Sequence, residues 1–275
     1  MIKRILVGFG ETEYATSAIK RATELALAHD AEVTGVSIVD VNRLSDVGPV
    51  PIGGAAYATS LRDHRLQVAR EHVDKALHEF EKVCGSQGVR HRTLREESEP
   101  LSLMIGMARY YDLMVFGLRS LFEFDLVPDP HDALVRLIQA GVRPLIAVPK
   151  EFSPIKKVLI SYSGSMESAK AMKRFVQMRL WPEAKLQVVT FEHPADVAEQ
   201  LVGDAADYCR AHGFEVEEAF VPKSPKNHLL PHATEWGADL IVVGNSGKNL
   251  LLRRIFGETA LHAIRNSERP LFLAQ

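Results

Sequence analysis

The sequence lacks the features that mark several broad classes of protein. Among 275 residues it has only two cysteines, Cys84 and Cys209, which excludes a disulfide scaffold and favours a reducing compartment. Lys and Arg number 33 against 35 Asp and Glu, so the basic excess typical of nucleic-acid and membrane-surface binders is missing. No window approaches the roughly 20 apolar residues that a membrane-spanning helix needs.

What remains is the composition of an ordinary globular protein, with 46% hydrophobic and 25% charged residues. The length allows one large domain or two of average size. The N-terminal apolar run Ile5-Leu6-Val7 is too short for the core of a secretion signal. We therefore expect a cytoplasmic protein with neither a nucleic-acid nor a membrane partner.

The two halves of the chain repeat the same landmarks in the same order. An apolar run that leads into small and polar residues opens each half, at 5–12 and at 158–165. Later, 111–117 recurs as 238–244, and 143–148 recurs as 269–274. This duplication predicts two similar units, 1–150 and 154–275. The junction Glu151–Pro154 is too short for a flexible tether, so we expect the units to pack together.

Periodicity predicts that strands and helices alternate in each unit. In the second half the predicted strands are 158–162, 185–191, 215–221, 239–243 and 270–273, and the predicted helices are 165–179, 195–212, 226–236 and 258–267. Such alternation favours an α/β fold in which helices cover both faces of a parallel sheet. The first half carries an extra segment, 42–54, whose Gly, Pro and Asp content predicts irregular structure.

We expect each unit to be a five-stranded parallel sheet separate from the other. The units should be related by a pseudo-two-fold axis. The closing strands 144–148 and 270–273 should lie at the contact, because an exposed apolar edge invites pairing.

Three glycines follow the fourth predicted strand of the second half. Gly244 and Gly247 come directly after the strand, and Gly257 precedes a predicted helix. Free N–H groups at a helix start favour an anion, and glycine lets a phosphate approach the backbone without a Cβ in the way. The pattern therefore predicts a phosphate site at the carboxyl ends of the strands, where open parallel sheets bind ligands.

The spacing Gly-x2-Gly-x9-Gly at 244–257, within this duplicated frame, resembles the nucleotide-binding signature of the universal stress protein family. The resemblance covers both halves and implies a tandem member with two Rossmann-like units of the adenine nucleotide alpha hydrolase type. It also implies a signalling module that binds ATP, ADP or AMP through the second unit. A further homodimer of the tandem chain is expected.

The resemblance assigns nine residues of the second unit to the nucleotide. The phosphates would be held by the Thr259 hydroxyl and by backbone groups of Gly244, Asn245, Gly247, Gly257 and Glu258. Ser161 and Ser163 would lie beside the base or ribose. The ring of Phe191 would lie against the adenine.

Two of these residues depart from the family pattern. Ser163 stands where nucleotide binders have an Asp, and Glu258 stands where they have Ser or Thr after the third glycine. A carboxylate beside phosphate is repulsive, so the resemblance predicts Mg²⁺ or Mn²⁺ as a neutralising cofactor. The first unit has Gly10 at the Asp position and lacks the second and third glycines after Gly117, which indicates a degenerate site.

Two function classes stay open. One is the nucleotide-responsive module, and the other is a scaffold or interaction protein whose sites are degenerate. No Ser–His–Asp set, metal cluster or catalytic carboxylate pair can be assembled, so catalysis beyond slow ATP hydrolysis is not expected. His228 and His232 have the spacing of a metal pair, but Pro231 lies between them and a solvent-facing helix surface explains them better.

Overall fold

Ten β-strands form one sheet that runs through both halves of the chain. The structure is a computed structural model that describes residues 2–10, 12–50, 52–118, 137–138, 141–142, 144–192, 194–244 and 258–274. The strands are β1 Arg4–Gly8, β2 Glu32–Val39, β3 His91–Glu97, β4 Leu113–Gly117, β5 Leu145–Val148, β6 Lys157–Ser161, β7 Lys185–Phe191, β8 Val216–Val221, β9 Leu240–Gly244 and β10 Leu271–Ala274. Their order across the sheet is β3-β2-β1-β4-β5-β10-β9-β6-β7-β8.

Within each half all neighbouring strands are parallel, which confirms the α/β class and the two five-stranded parallel units. The central strands are apolar along their whole length because both of their faces are covered. Leu240, Ile241, Val242 and Val243 of β9 are at most 3% exposed.

The helices lie between the strands, as the alternation predicts. Those whose bounds fall within the described residues are α1 Ala15–His29, α2 Val41–Ser45, α3 Ala55–Ser86, α4 Pro100–Met107, α5 Met166–Met178, α6 Ala195–Ala211, α7 Pro225–Trp236 and α8 Glu258–Asn266. The prediction of irregular structure over 42–54 is wrong at its start, since α2 continues to Ser45. Leu44 explains this helical turn, because its side chain is buried in the core beside α3.

Alternating side chains of each strand supply two cores, one on each face of the sheet. On β1, Val7 faces the core that contains α1, α3, α5 and α6, whereas Leu6 faces the core that contains α4, α7 and α8. Each core includes residues of both halves. The two units therefore share their hydrophobic interior.

The five strands of each unit join into the one sheet at a seam between β5 and β10. Leu145, Ile146 and Ala147 pair antiparallel with Leu273, Phe272 and Leu271. The closing strands thus form the contact, as expected, and the reversed strand order of the second unit fits a two-fold axis at the seam. The expectation of two separate sheets is wrong, because the apolar edges satisfy each other's backbone hydrogen bonds directly.

Side chains of α1 reinforce the seam on one face of the sheet. Arg21 is 1% exposed, and its guanidinium lies 4.6 Å from the ring centroid of Phe152 in the junction and 5.4 Å from that of Trp181. It pairs with Glu24, which also accepts a hydrogen bond of 3.3 Å from the Trp181 indole. Phe152 and Trp181 therefore pack on α1 and hold the second unit against the first.

Candidate functional site

The carboxyl ends of β6 and β9 bring part of the predicted site together. Ser161, the last residue of β6, pairs with Val189 on one side and with Val243 on the other. Gly244 follows Val243 at the end of β9, so Ser161 and Gly244 lie at the same edge of the sheet. This is the edge at which parallel sheets of this type bind ligands.

Three serine hydroxyls cluster between β6 and α5. The Ser163 Oγ lies 3.0 Å from the Ser165 Oγ and 3.3 Å from the Ser168 Oγ. Ser165 caps α5 by accepting a hydrogen bond from the Ser168 backbone N–H. The turn between them needs Gly164, whose φ of +72° favours glycine. The Ser163 side chain is exposed, so a polar group faces solvent where nucleotide binders have an Asp.

Gly244 packs closely against the start of α5. A Cβ at this position would lie 2.6 Å from the Ser168 Cα, 2.7 Å from the Ser168 N and 2.8 Å from the Glu167 carbonyl oxygen. The absence of a side chain is therefore needed for the packing of β9 against α5. This requirement exists whether or not a phosphate binds there.

Phe191 is buried at the end of β7. It is 6% exposed, and its ring meets the His232 ring edge-on with centroids 6.4 Å apart. The His232 Nε2 is 2.7 Å from the Gln187 Oε1, and burial lowers the pKa of His232. His232 thus faces the sheet, and the expectation of a solvent-facing surface is wrong for it. The predicted stacking of Phe191 on adenine stays a prediction.

Glu258 and Thr259 form the first turn of α8. Thr259 is half-buried, whereas Glu258 is exposed and its Oε2 lies 3.1 Å from the Nζ of Lys226 in the first turn of α7. The carboxylate predicted to repel phosphate is therefore already paired with a cation of the protein. Sequence reasoning missed this pair, although Lys226 follows Pro225 at a recognisable helix start.

Asn245, Gly247 and Gly257 lie outside the described residues. In the ranges that are described, no group of three or more His, Cys, Asp or Glu side chains could hold a metal ion. Within the same ranges, no helix is both long and apolar enough to cross a membrane.

The first unit meets the second at a cavity of about 400 Å³ at the carboxyl ends of β4 and β5. Tyr14, Leu118 and Lys150 of the first unit line it together with Ser267 and Glu268 of the second. Lys150 pairs with Glu13 and lies 5.9 Å from the Tyr14 ring centroid. The cavity therefore combines both units and is separate from the strand ends of the second unit.

Comparison with known families decides what these two units are. A family model described as the universal stress protein family matches residues 1–121 and again residues 154–275. The chain belongs to the universal stress protein family. Since the model matches twice, the chain is a tandem member.

Individual relatives of this universal stress protein agree with the assignment. The universal stress protein Slr1230 of Synechocystis sp. is 24% identical over 140 residues, which cover 50% of this chain and 48% of that protein. The chain thus spans about half the length of this curated relative. A universal stress protein from Archaeoglobus fulgidus shares the fold, with 16% identity, a TM-score of 0.75 and coverage of 99% and 96% of the two chains.

A third relative is a solved universal stress protein in complex with cAMP. It is 30% identical, covers 45% of this chain and 98% of its own, and has a TM-score of 0.40.

Proposed function

We propose that this tandem universal stress protein is a stress-response module that binds an adenine nucleotide, ATP, ADP or AMP, in its second unit. The two units in this proposal are 1–150 and 154–275, and the protein acts in the cytoplasm as a homodimer of the tandem chain. The observation that carries the proposal is the position of Ser161, Ser163 and Gly244 at the carboxyl ends of β6 and β9. Membership of the family supports it.

In this proposal each residue has a limited chemical task. Backbone N–H groups near Gly244 and at the start of α8 receive the phosphates, since a helix start offers unpaired donors and a favourable dipole. The Thr259 hydroxyl is a further donor to phosphate. Ser161 and Ser163 offer hydroxyl groups to the ribose or base. No residue has a catalytic role here, so the output is a change of shape or of partner.

Direct analysis of bound nucleotide tests the proposal. Native mass spectrometry of the purified full chain should find an adenine nucleotide, and calorimetry should then measure its affinity, with cAMP included because a solved relative holds it. Gly257→Val should abolish binding, because a side chain would stand where phosphate meets backbone. Gly85→Val is the matched control, since a Cβ there meets no atom within 4 Å. Equal affinity of both variants would contradict the proposal.

The second candidate is a scaffold that binds no nucleotide. Two observations favour it. The small size of Gly244 has a packing explanation, and the Phe191 ring is buried against His232. For this candidate, neither mass spectrometry nor calorimetry would detect a nucleotide.

A further inference from the structure

The start of α8 combines two opposite charges that come from different helices. Glu258 is in the first turn of α8, and Lys226 is in the first turn of α7. The Lys226 Nζ and the Glu258 Oε2 are 3.1 Å apart, and the side chains are 48% and 80% exposed. Both groups remain accessible to a ligand that approaches the helix start.

Stability does not explain why a lysine is at this position. An exposed ion pair of this kind contributes little to folding, and its strength falls with salt. A cation in the first turn of a helix also faces the positive end of the helix dipole. Lys226 is in that unfavourable position in α7. Its evident effect is to cancel the charge of Glu258.

A divalent cation would have few protein ligands at this position. Mg²⁺ at a nucleotide is commonly held by one or two carboxylates together with phosphate oxygens and water, and Glu258 is the acidic residue in the first turn of α8. The carboxylate of Glu258 is also occupied by the Lys226 ammonium. A metal ion is therefore not needed to neutralise Glu258.

We propose that Lys226 replaces the metal ion at the phosphate end of the second unit, so that this unit binds a metal-free adenine nucleotide. The inference rests on the proposed function. The ammonium group cancels Glu258 and leaves the N–H groups of the α8 start as the donors to phosphate. Without Lys226, the unpaired carboxylate would face the phosphate directly, and Mg²⁺ would then be required.

Calorimetric titration of the full chain with ADP, in EDTA and in Mg²⁺, tests this. The wild type should bind ADP with the same affinity in both buffers, to within about twofold. Lys226→Met should weaken binding about tenfold in EDTA, because two like charges then meet at a partly screened site. Mg²⁺ should restore much of that loss. Lys226→Met combined with Glu258→Gln should bind ADP in EDTA nearly as well as the wild type.

Lys223→Met is the matched control, since Lys223 is exposed and three residues away from Lys226. It should change the ADP affinity by less than about twofold, and equal thermal stability of all variants should exclude a folding defect. Unchanged binding by Lys226→Met in EDTA would overturn the inference, and so would a wild type that needs Mg²⁺.

A different result separates the inference from the proposed function. If the wild type binds no nucleotide, the proposed function fails, and the same titrations are made with inorganic pyrophosphate. Pyrophosphate binding that Lys226→Met weakens in EDTA would support the role of Lys226 at an anion site. Absence of pyrophosphate binding would overturn the inference as well.

Discussion

Gly244→Ala is expected to destabilise the protein because the added methyl group would overlap the backbone of α5. The three nearest atoms, of Ser168 and Glu167, would be 2.6–2.8 Å from the new Cβ. Carbon atoms in contact are normally about 3.5–4.0 Å apart, so β9 or α5 would have to move by roughly 1 Å. All three atoms belong to the backbone, so no change of rotamer relieves the overlap.

Overpacking of this kind destabilises a protein by about 1–3 kcal/mol. For a large domain each kcal/mol lowers Tm by about 2–4 °C, so we expect a decrease of about 2–12 °C. Differential scanning calorimetry without nucleotide measures it, so that loss of a ligand cannot contribute.

Gly203→Ala is the control for this experiment. Gly203 is inside α6, and an added Cβ would have no atom within 4 Å. Alanine is favoured over glycine inside helices by up to about 1 kcal/mol, so Tm should stay unchanged or rise. If Gly244→Ala melts at or above the wild-type temperature, α5 can move away from the added methyl group without loss of stability, and the packing argument is refuted.

Three further experimental results are expected. Phe272→Ala should lower the free energy of unfolding in urea by about 3–5 kcal/mol, because the buried ring on β10 packs edge-on against Phe175 at 5.3 Å; a loss under about 1 kcal/mol would contradict this. Burial raises the pKa of Cys84 and Cys209 to about 12, so Ellman's reagent at about pH 8 should label them only after denaturation, and rapid native labelling would be inconsistent with it. Burial lowers the pKa of His232 below its usual 6.5. The neutral ring therefore contributes stability at neutral pH. That contribution is lost as the pH falls, because the unfolded chain takes up a proton before the folded protein does. His232→Asn should accordingly flatten the dependence of Tm on pH between about 7 and 5, and an unchanged slope would refute it.

The strands of the second unit could be predicted to within about one residue, and the signal is clearest for central strands, whose two faces are both buried. The apolar run Leu240–Val243 has no polar position that would fit an exposed face, and the structure buries all four residues. The cap of α5 has a local signal as well, since Ser165 directly precedes the helix and its side chain accepts a hydrogen bond from the Ser168 backbone N–H.

The continuous sheet could not be predicted in the same way. An apolar edge strand indicates that something covers it, but the side-chain pattern is the same whether a helix or another strand does so. The pairing of Ile146 with Phe272 is a backbone interaction, which residue types barely specify.

The ion pair of Lys226 and Glu258 was missed for a related reason. The residues are far apart in the chain, and their contact depends on how α7 packs beside α8. The prediction for Gly244 from the sequence was incomplete, because the close approach of α5 is a tertiary feature that the glycine spacing does not reveal.

The antiparallel pairing of β5 with β10 also affects how the two units can diverge. Two identical subunits joined at such an edge carry every substitution twice, so a change that harms one site harms both. In this chain the partners are covalently linked and encoded separately, so a residue can change on one side of the seam while its counterpart is kept. Gly10 and Ser163 already differ at equivalent positions. Each half can thus change the residues at its own strand ends while the other half keeps them.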